Sequence, residues 1–238
     1  MTADEPIGPL DGTSFGEPAC RFRMRTVVFD LDGTLADTAP DLTDAVNVML
    51  RALGRRALTV GDVRAMLGDG LGMLTRRALG MTGPISEAIF DEGFALFVAH
   101  YEVHFADRSR PWPGVDRALS ILEADGVRLA ICTNKLEYLT HPFLAAMGWE
   151  GRFAPVICGD MLPVRKPDPA PLLEAIRQAG GGSAAFVGDT KVDLMTARAA
   201  GVPCLLMNME EGGQALADAA PAQVLKAFSD LPDALAAL

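Results

Sequence analysis

Two aspartates placed two residues apart, Asp30 and Asp32, carry the first chemical signal in this sequence. They sit in Asp30-Leu31-Asp32-Gly33-Thr34-Leu35, directly after the apolar run 26–29. In an extended backbone such residues share a face and lie about 6 to 7 Å apart along the chain. Two carboxylates at that spacing can divide labour. One attacks phosphorus, and the other carries the proton of the leaving and attacking oxygens. Gly33 lets the backbone turn sharply and approach a ligand. Asp-Gly is equally an ordinary turn pair.

Three more short motifs follow. Thr133-Asn134 ends an apolar run, where a hydroxyl and neighbouring backbone N–H groups can hold phosphoryl oxygens. A plain strand end reads the same way. Lys166-Pro167-Asp168-Pro169 sets a lysine in a rigid and, by its prolines, extended backbone, so its ammonium has a fixed direction. The adjoining Arg165 is an auxiliary charge or simply a solvated one. Gly188-Asp189-Thr190-Lys191-Val192-Asp193 ends another apolar run and places Asp193 one helical turn after Asp189. It reads either as an N-cap at Asp189 with a stabilising first-turn carboxylate, or as a metal site completed by Asp30.

Taken together the motifs say more than each does alone. Asp30, Asp32, Asp189 and Asp193 bring four negative charges to one place if their strand ends converge. Two like charges 4 Å apart repel by about 4 kcal/mol at a protein-surface dielectric. Lys166 supplies one compensating charge and a divalent cation supplies two. The candidate ligands are hard oxygens with no histidine or cysteine among them, which selects Mg²⁺ over zinc or copper.

The elements that must position these residues follow from periodicity. The runs 26–30, 127–134, 154–160, 184–189 and 202–207 are short, continuous and apolar, as strands buried on both faces of a parallel sheet are. Helical spacing fills 116–125, 171–179 and 192–200, each followed by glycine. Strand and helix alternate, which predicts an α/β fold with a doubly wound, mainly parallel sheet, and ligands beyond the carboxyl ends of its strands. The alternation breaks over 38–110. There, amphipathic spacing over 40–53 and 86–104, and a Thr59/Asp62 capping-box pattern, predict an inserted helical cap domain. The Pro111-Trp112-Pro113-Gly114 turn returns the chain to a core made of 25–37 and 111–238.

Composition sets the outer limits. The chain has 238 residues and a formal net charge of -10, which disfavours a nucleic-acid partner. It has no apolar run long enough to span a membrane. Cys20, Cys132, Cys158 and Cys204 match no metal knuckle or redox pair, and their placement points to a reducing cytoplasm. Residues 1–24 read as a disordered arm rich in glycine, proline and acidic residues, with the structured protein starting near Met24. The sequence gives no oligomeric state.

The four motifs, in this order, resemble those of haloacid dehalogenase superfamily phosphatases. Within that superfamily the stretch 30–42, Gly68 with Gly70, Arg76-Arg77-Ala78-Leu79, Thr133-Asn134-Lys135 and the segment 159–169 look like the bacterial phosphoglycolate phosphatases. The resemblance implies Asp30 as a nucleophile that becomes an aspartyl-phosphate, and Asp32 as acid and then base. It implies phosphate binding by Thr133, Asn134 and Lys166, and Mg²⁺ held by Asp30, the Asp32 carbonyl and Asp189, with Asp193 assisting from behind. The helical insert would be a mobile cap, and Arg76 and Arg77 candidates for a substrate carboxylate, against a plain helix-surface pair. The implied substrate is a small phosphorylated metabolite, 2-phosphoglycolate first. Residues 208–213 depart from the Gly-Tyr-rich stretch common at that point, so a sugar-phosphate or amino-sugar-phosphate phosphatase is the nearest alternative. A phosphosugar mutase and a catalytically silent binding module follow it.

Overall fold

The computed structural model describes residues 21–209 and 223–238. Six strands form one parallel sheet: β1 (Thr26–Phe29), β4 (Arg128–Cys132), β5 (Val156–Ile157), β6 (Ala184–Gly188), β7 (Cys204–Met207) and β8 (Gln223–Leu225), in the order β5-β4-β1-β6-β7-β8. Strand residues alternate between two covered faces. Val27, Phe29, Leu129, Ile131, Ala185, Val187 and Leu205 pack against α5 (Val115–Ala124) and α9 (Leu231–Ala236). Val28, Ala130, Cys132, Phe186 and Leu206 pack against α7 (Ala170–Gln178) and α8 (Lys191–Ala200). Burial on both faces is why these runs are continuously apolar instead of alternating. The doubly wound parallel sheet is therefore as the sequence predicts. The 154–160 run is in regular register only at Val156 and Ile157; Pro155 has no N–H to give the ladder, and Ala154 N donates to Leu129 O just before it.

A two-stranded antiparallel ribbon, β2 (Ala36–Asp37) with β3 (Arg110–Pro111), carries the chain out of the sheet and back. Between them lie α1 (Ala39–Ala52), α2 (Val60–Arg64), α3 (Leu71–Thr82) and α4 (Glu87–Tyr101), with a hydrophobic cluster that includes Val46, Met49, Leu79 and Phe97 and takes in Leu139 from the core. The Thr59/Asp62 capping box is present in both directions. At the foot of this layer the buried Asp41 carboxylate accepts from Arg108 N, Ser109 N and Ser109 Oγ, tying the outgoing and returning segments together. Between β4 and β5 runs α6 (Glu137–Ala146).

Residues 21–24 were expected to belong to the arm, yet Phe22 and Met24 are buried in the main core cluster. The rest of the expected arm, with Cys20, and the segment 210–213 lie outside the described residues. No helix among the described residues is long and apolar enough to cross a membrane.

Candidate active site

Asp30 stands one residue beyond β1, the central strand, with its N–H still donating to Val187 O at 2.9 Å. That ladder bond fixes the backbone and delivers a buried carboxylate to the carboxyl edge of the sheet. Burial pushes the Asp30 carboxyl from its ordinary 3.8 up to about 6, against the pull of Lys166 and with the help of Asp193 and Asp32. Lys166, itself buried, places Nζ 2.9 Å from Asp30 Oδ1 and 2.6 Å from Asp193 Oδ1. Burial alone would lower its pKa, but the Asp193 and Asp30 carboxylates outweigh that and keep the ammonium charged. Its peptide to Pro167 is cis, which departs from the extended backbone that the prolines predict.

Asp189 follows β6 and accepts from Thr34 Oγ1 at 2.6 Å. Burial, then Asp193 and Asp30, raise its pKa well above the usual carboxylate value. Gly33 has φ +85°, and a Cβ there would fall 2.3 Å from Asp189 Oδ2, so only glycine lets the first loop come this close. The N-cap of α8 is Thr190, not Asp189: Thr190 Oγ1 caps Asp193 N, and Asp193 Oδ2 returns to Thr190 N at 3.0 Å.

Thr133 and Asn134 lie just past β4, both buried. Asn134 Nδ2 donates to Lys166 O at 3.0 Å and to Gly68 O, between α2 and α3, at 2.9 Å, while its Oδ1 is buried without a hydrogen-bond partner. Gly159 is needed alongside, since a Cβ would meet Asn134 O at 2.5 Å. Asp32 does not join the cluster of Asp30, Asp189 and Asp193. Lys135 Nζ holds it, at 3.0 Å from Oδ1 and 3.3 Å from Oδ2, and also bonds Tyr101 Oη at 2.8 Å. Lys135 thus shares with Lys166 the task of balancing the carboxylates, a second cation that the four motifs do not predict. Its position next to Thr133-Asn134 was the available signal.

Arg76 and Arg77 do not line the cleft that contains Asp30, Asp32 and Thr133. Arg76 pairs with Glu87 at 2.9 Å and stacks over Phe90. Arg77 is engaged by Asp69 and Met66 O. The exposed Arg165 lies beyond the hydrogen-bonded set, and so do His100, His104 and His141.

The residues fit a divalent cation. Asp30, Asp189 and Asp193 each offer an oxygen within 4.8 Å of the others, with one lysine between three carboxylates. The cluster is short of positive charge by the amount Mg²⁺ carries, and its donors are the hard oxygens that ion prefers. Asp193 already spends both oxygens on Lys166 and the α8 cap, which leaves Asp30 and Asp189 as the side chains free to ligate.

A parallel α/β sheet with its polar groups gathered beyond the carboxyl strand ends defines an enzyme of the doubly wound class. Residues 24–201 match the model of the haloacid dehalogenase-like hydrolases, and the chain belongs to that family. It is 36% identical over 211 residues to a protein of Agrobacterium fabrum named phosphoglycolate phosphatase, covering 87% of this chain and 91% of that one. It is 40% identical over 225 residues to phosphoglycolate phosphatase 1 of Pseudomonas aeruginosa, covering 92% and 82%. A crystal structure described as a predicted phosphoglycolate phosphatase from Haemophilus somnus superposes with a TM-score of 0.82 at 28% identity, over 88% of this chain and 97% of that one.

Proposed function

We propose that the chain is a Mg²⁺-dependent phosphatase that hydrolyses a small phosphomonoester, 2-phosphoglycolate first among them, through an aspartyl-phosphate on Asp30. The observation that carries this reading is the buried Asp30–Lys166–Asp193 chain with Asp189 at its side. It keeps one buried Asp30 oxygen 2.9 Å from an ammonium at the strand end and leaves the set short of positive charge. The names of the relatives support the substrate.

In the first step an Asp30 oxygen attacks phosphorus, the P–O ester bond breaks, and Asp32 gives its proton to the departing oxygen. In the second, water attacks the phosphoryl group on Asp30 while Asp32 takes the proton back. Lys166 keeps Asp30 oriented and offsets negative charge, and Thr133 with the backbone at Asn134 takes phosphoryl oxygens. Asp30, Asp189 and the Asp32 carbonyl would hold Mg²⁺, with Asp193 acting through Lys166. When bound, the ion supplies the charge that lets an anionic nucleophile meet an anionic ester. Residues 38–110 act as a cap that excludes water during transfer; the Gly68–Asn134 bond supports a seated position for it. Buried free thiols at Cys132, Cys158 and Cys204 support a cytoplasmic setting.

The test is Asp30→Asn. Circular dichroism should be unchanged, and Mg²⁺-dependent phosphate release should fall to background. Turnover equal to that of the parent would remove the mechanism.

A further inference from the structure

The proposed reaction leaves one buried cation without a task at the substrate. Lys135 lines the cleft between the sheet edge and the helical layer, and its side chain is fully buried. A buried ammonium is tolerated only when charged and polar partners surround it. Here they are Asp32 and the Tyr101 hydroxyl, with the faces of Tyr101 and Phe143 at 5.0 and 5.1 Å. Tyr101 ends α4 and Asp32 follows β1, so the lysine is gripped from both walls of the cleft. An ammonium has three donors. The contact to Asp32 is split between 3.0 and 3.3 Å, and its longer arm is the one a ligand oxygen can replace.

The wall facing the sheet edge is otherwise apolar, built from Leu42, Leu67, Leu71 and Leu74 with Gly68 and Gly70. Hydroxyl groups of a sugar would lose water there and find no side chain to bond. Among the side chains that line the cleft, an anionic group on a short substrate finds one cation, Lys135; the exposed Arg165 approaches Gly70 from outside that lining. The two arginines of α3 are bound to Glu87 and Asp69 and stand outside this cleft. Resting on the phosphatase reading above, we infer that Lys135, steadied by Tyr101, is the specificity-determining residue. Its ammonium pairs with the carboxylate of a short phosphorylated hydroxy acid whose phosphoryl group faces Asp30.

The experiment compares 2-phosphoglycolate with 2-hydroxyethyl phosphate, which has the same chain length and no carboxylate. The full chain with Mg²⁺ is assayed as the parent, Lys135→Met and Tyr101→Phe. The parent should prefer the carboxylate ester. In Lys135→Met the ratio of kcat/KM values for the two esters should collapse by about tenfold to a hundredfold, the range a charged hydrogen bond commands. Any loss through Asp32 is common to both esters and cancels in the ratio, as does a merely structural loss. Tyr101→Phe keeps the ring, should shift the ratio the same way by about threefold or more, and decides alone if Lys135→Met does not fold. Ratios unchanged in the variants, or a parent without preference for the carboxylate ester, overturn the assignment of Lys135. A parent inactive on both esters overturns the choice of 2-phosphoglycolate as substrate and the assignment of Lys135 with it; a parent that also releases no phosphate from sugar phosphates overturns the phosphatase reading.

Discussion

Replacing Asp189 by asparagine should stabilise the metal-free protein at neutral pH and erase its response to Mg²⁺. Lys166 pairs with Asp30 and Asp193, and the Asp189 carboxylate lies within 4.8 Å of both of theirs. Burial, then Asp193 and Asp30, raise the Asp189 pKa, and burial foremost raises that of Asp30 from 3.8 to about 6. A raised carboxyl pKa means that the folded chain binds the proton more tightly than the unfolded chain does. Between pH 3.8 and about 6 the folded state therefore carries more protons, and stability falls as pH rises through that window. For Asp30 alone the change amounts to about 3 kcal/mol once pH is above the window, and Asp189 adds in the same direction. The substitution removes one charge, relieves Asp30, and keeps an oxygen for Thr34 Oγ1.

The assay is urea unfolding in EDTA at pH 8 and pH 4, then with Mg²⁺ at pH 8. Against a slope of ~2–3 kcal/mol per molar urea, the variant midpoint should rise by about 0.5–1 M at pH 8 and by little at pH 4, below the raised pKa values of Asp30 and Asp189. Mg²⁺ at a hundred times its dissociation constant should stabilise the parent by about 2.7 kcal/mol and leave the variant where it was. A variant less stable than the parent in EDTA at pH 8 would refute the crowding argument. Equal stabilisation of both proteins by Mg²⁺ would place the ion elsewhere.

Lys166→Met leaves Asp30 and Asp193 buried without their cation and should cost about 3–5 kcal/mol, read as a lowered urea midpoint at pH 7.5; parental stability would show that the lysine is not needed for balance. Gly33→Ala puts a methyl group 2.3 Å from Asp189 Oδ2 at φ +85°. The backbone term is about 1–2 kcal/mol, and displacement of Asp189 should weaken Mg²⁺ binding about tenfold or more by titration calorimetry. Parental Mg²⁺ affinity in that variant would separate Asp189 from the ion.

The strand ends were readable because β1, β4 and β6 are covered on both faces. Apolar pattern then stops where the chain leaves the sheet, and Asp30, Thr133 and Asp189 are the residues at which it stops. Capping at Thr59 was readable because both halves of the box lie within four residues. What escaped depends on contacts between distant segments or on weak local signals. Helix α6 has Pro142 inside it and Leu136 at its N-cap, so neither end nor middle announces a helix. Strand β5 lies inside the 154–160 run, and only its length, two residues, escaped. The partition of charge was hidden too. Nothing in the order of residues says that Asp32 pairs with Lys135 while Asp30 and Asp193 share Lys166, because the Asp32–Lys135 and Lys166–Asp193 pairs are separated by 103 and 27 residues.

Asp193 shows why capping and catalysis were false alternatives for the fourth motif. Its Oδ2 accepts from Thr190 Oγ1 at 2.7 Å, Thr190 N at 3.0 Å and Asp189 N at 3.3 Å, which starts α8 and holds the turn that presents Asp189. Its Oδ1 accepts from Lys166 at 2.6 Å, and Lys166 in turn reaches Asp30. One carboxylate therefore sets the position of a metal-ligand candidate and of the cation beside the nucleophile. Gly188 makes this possible by absence of a side chain: a Cβ there would lie 2.3 Å from Asp193 Cβ, at a backbone angle any residue adopts. The glycine is present for close approach and not for conformational freedom. A helix start has been packed against the last residue of β6 so tightly that the bond which begins the helix also orients the site.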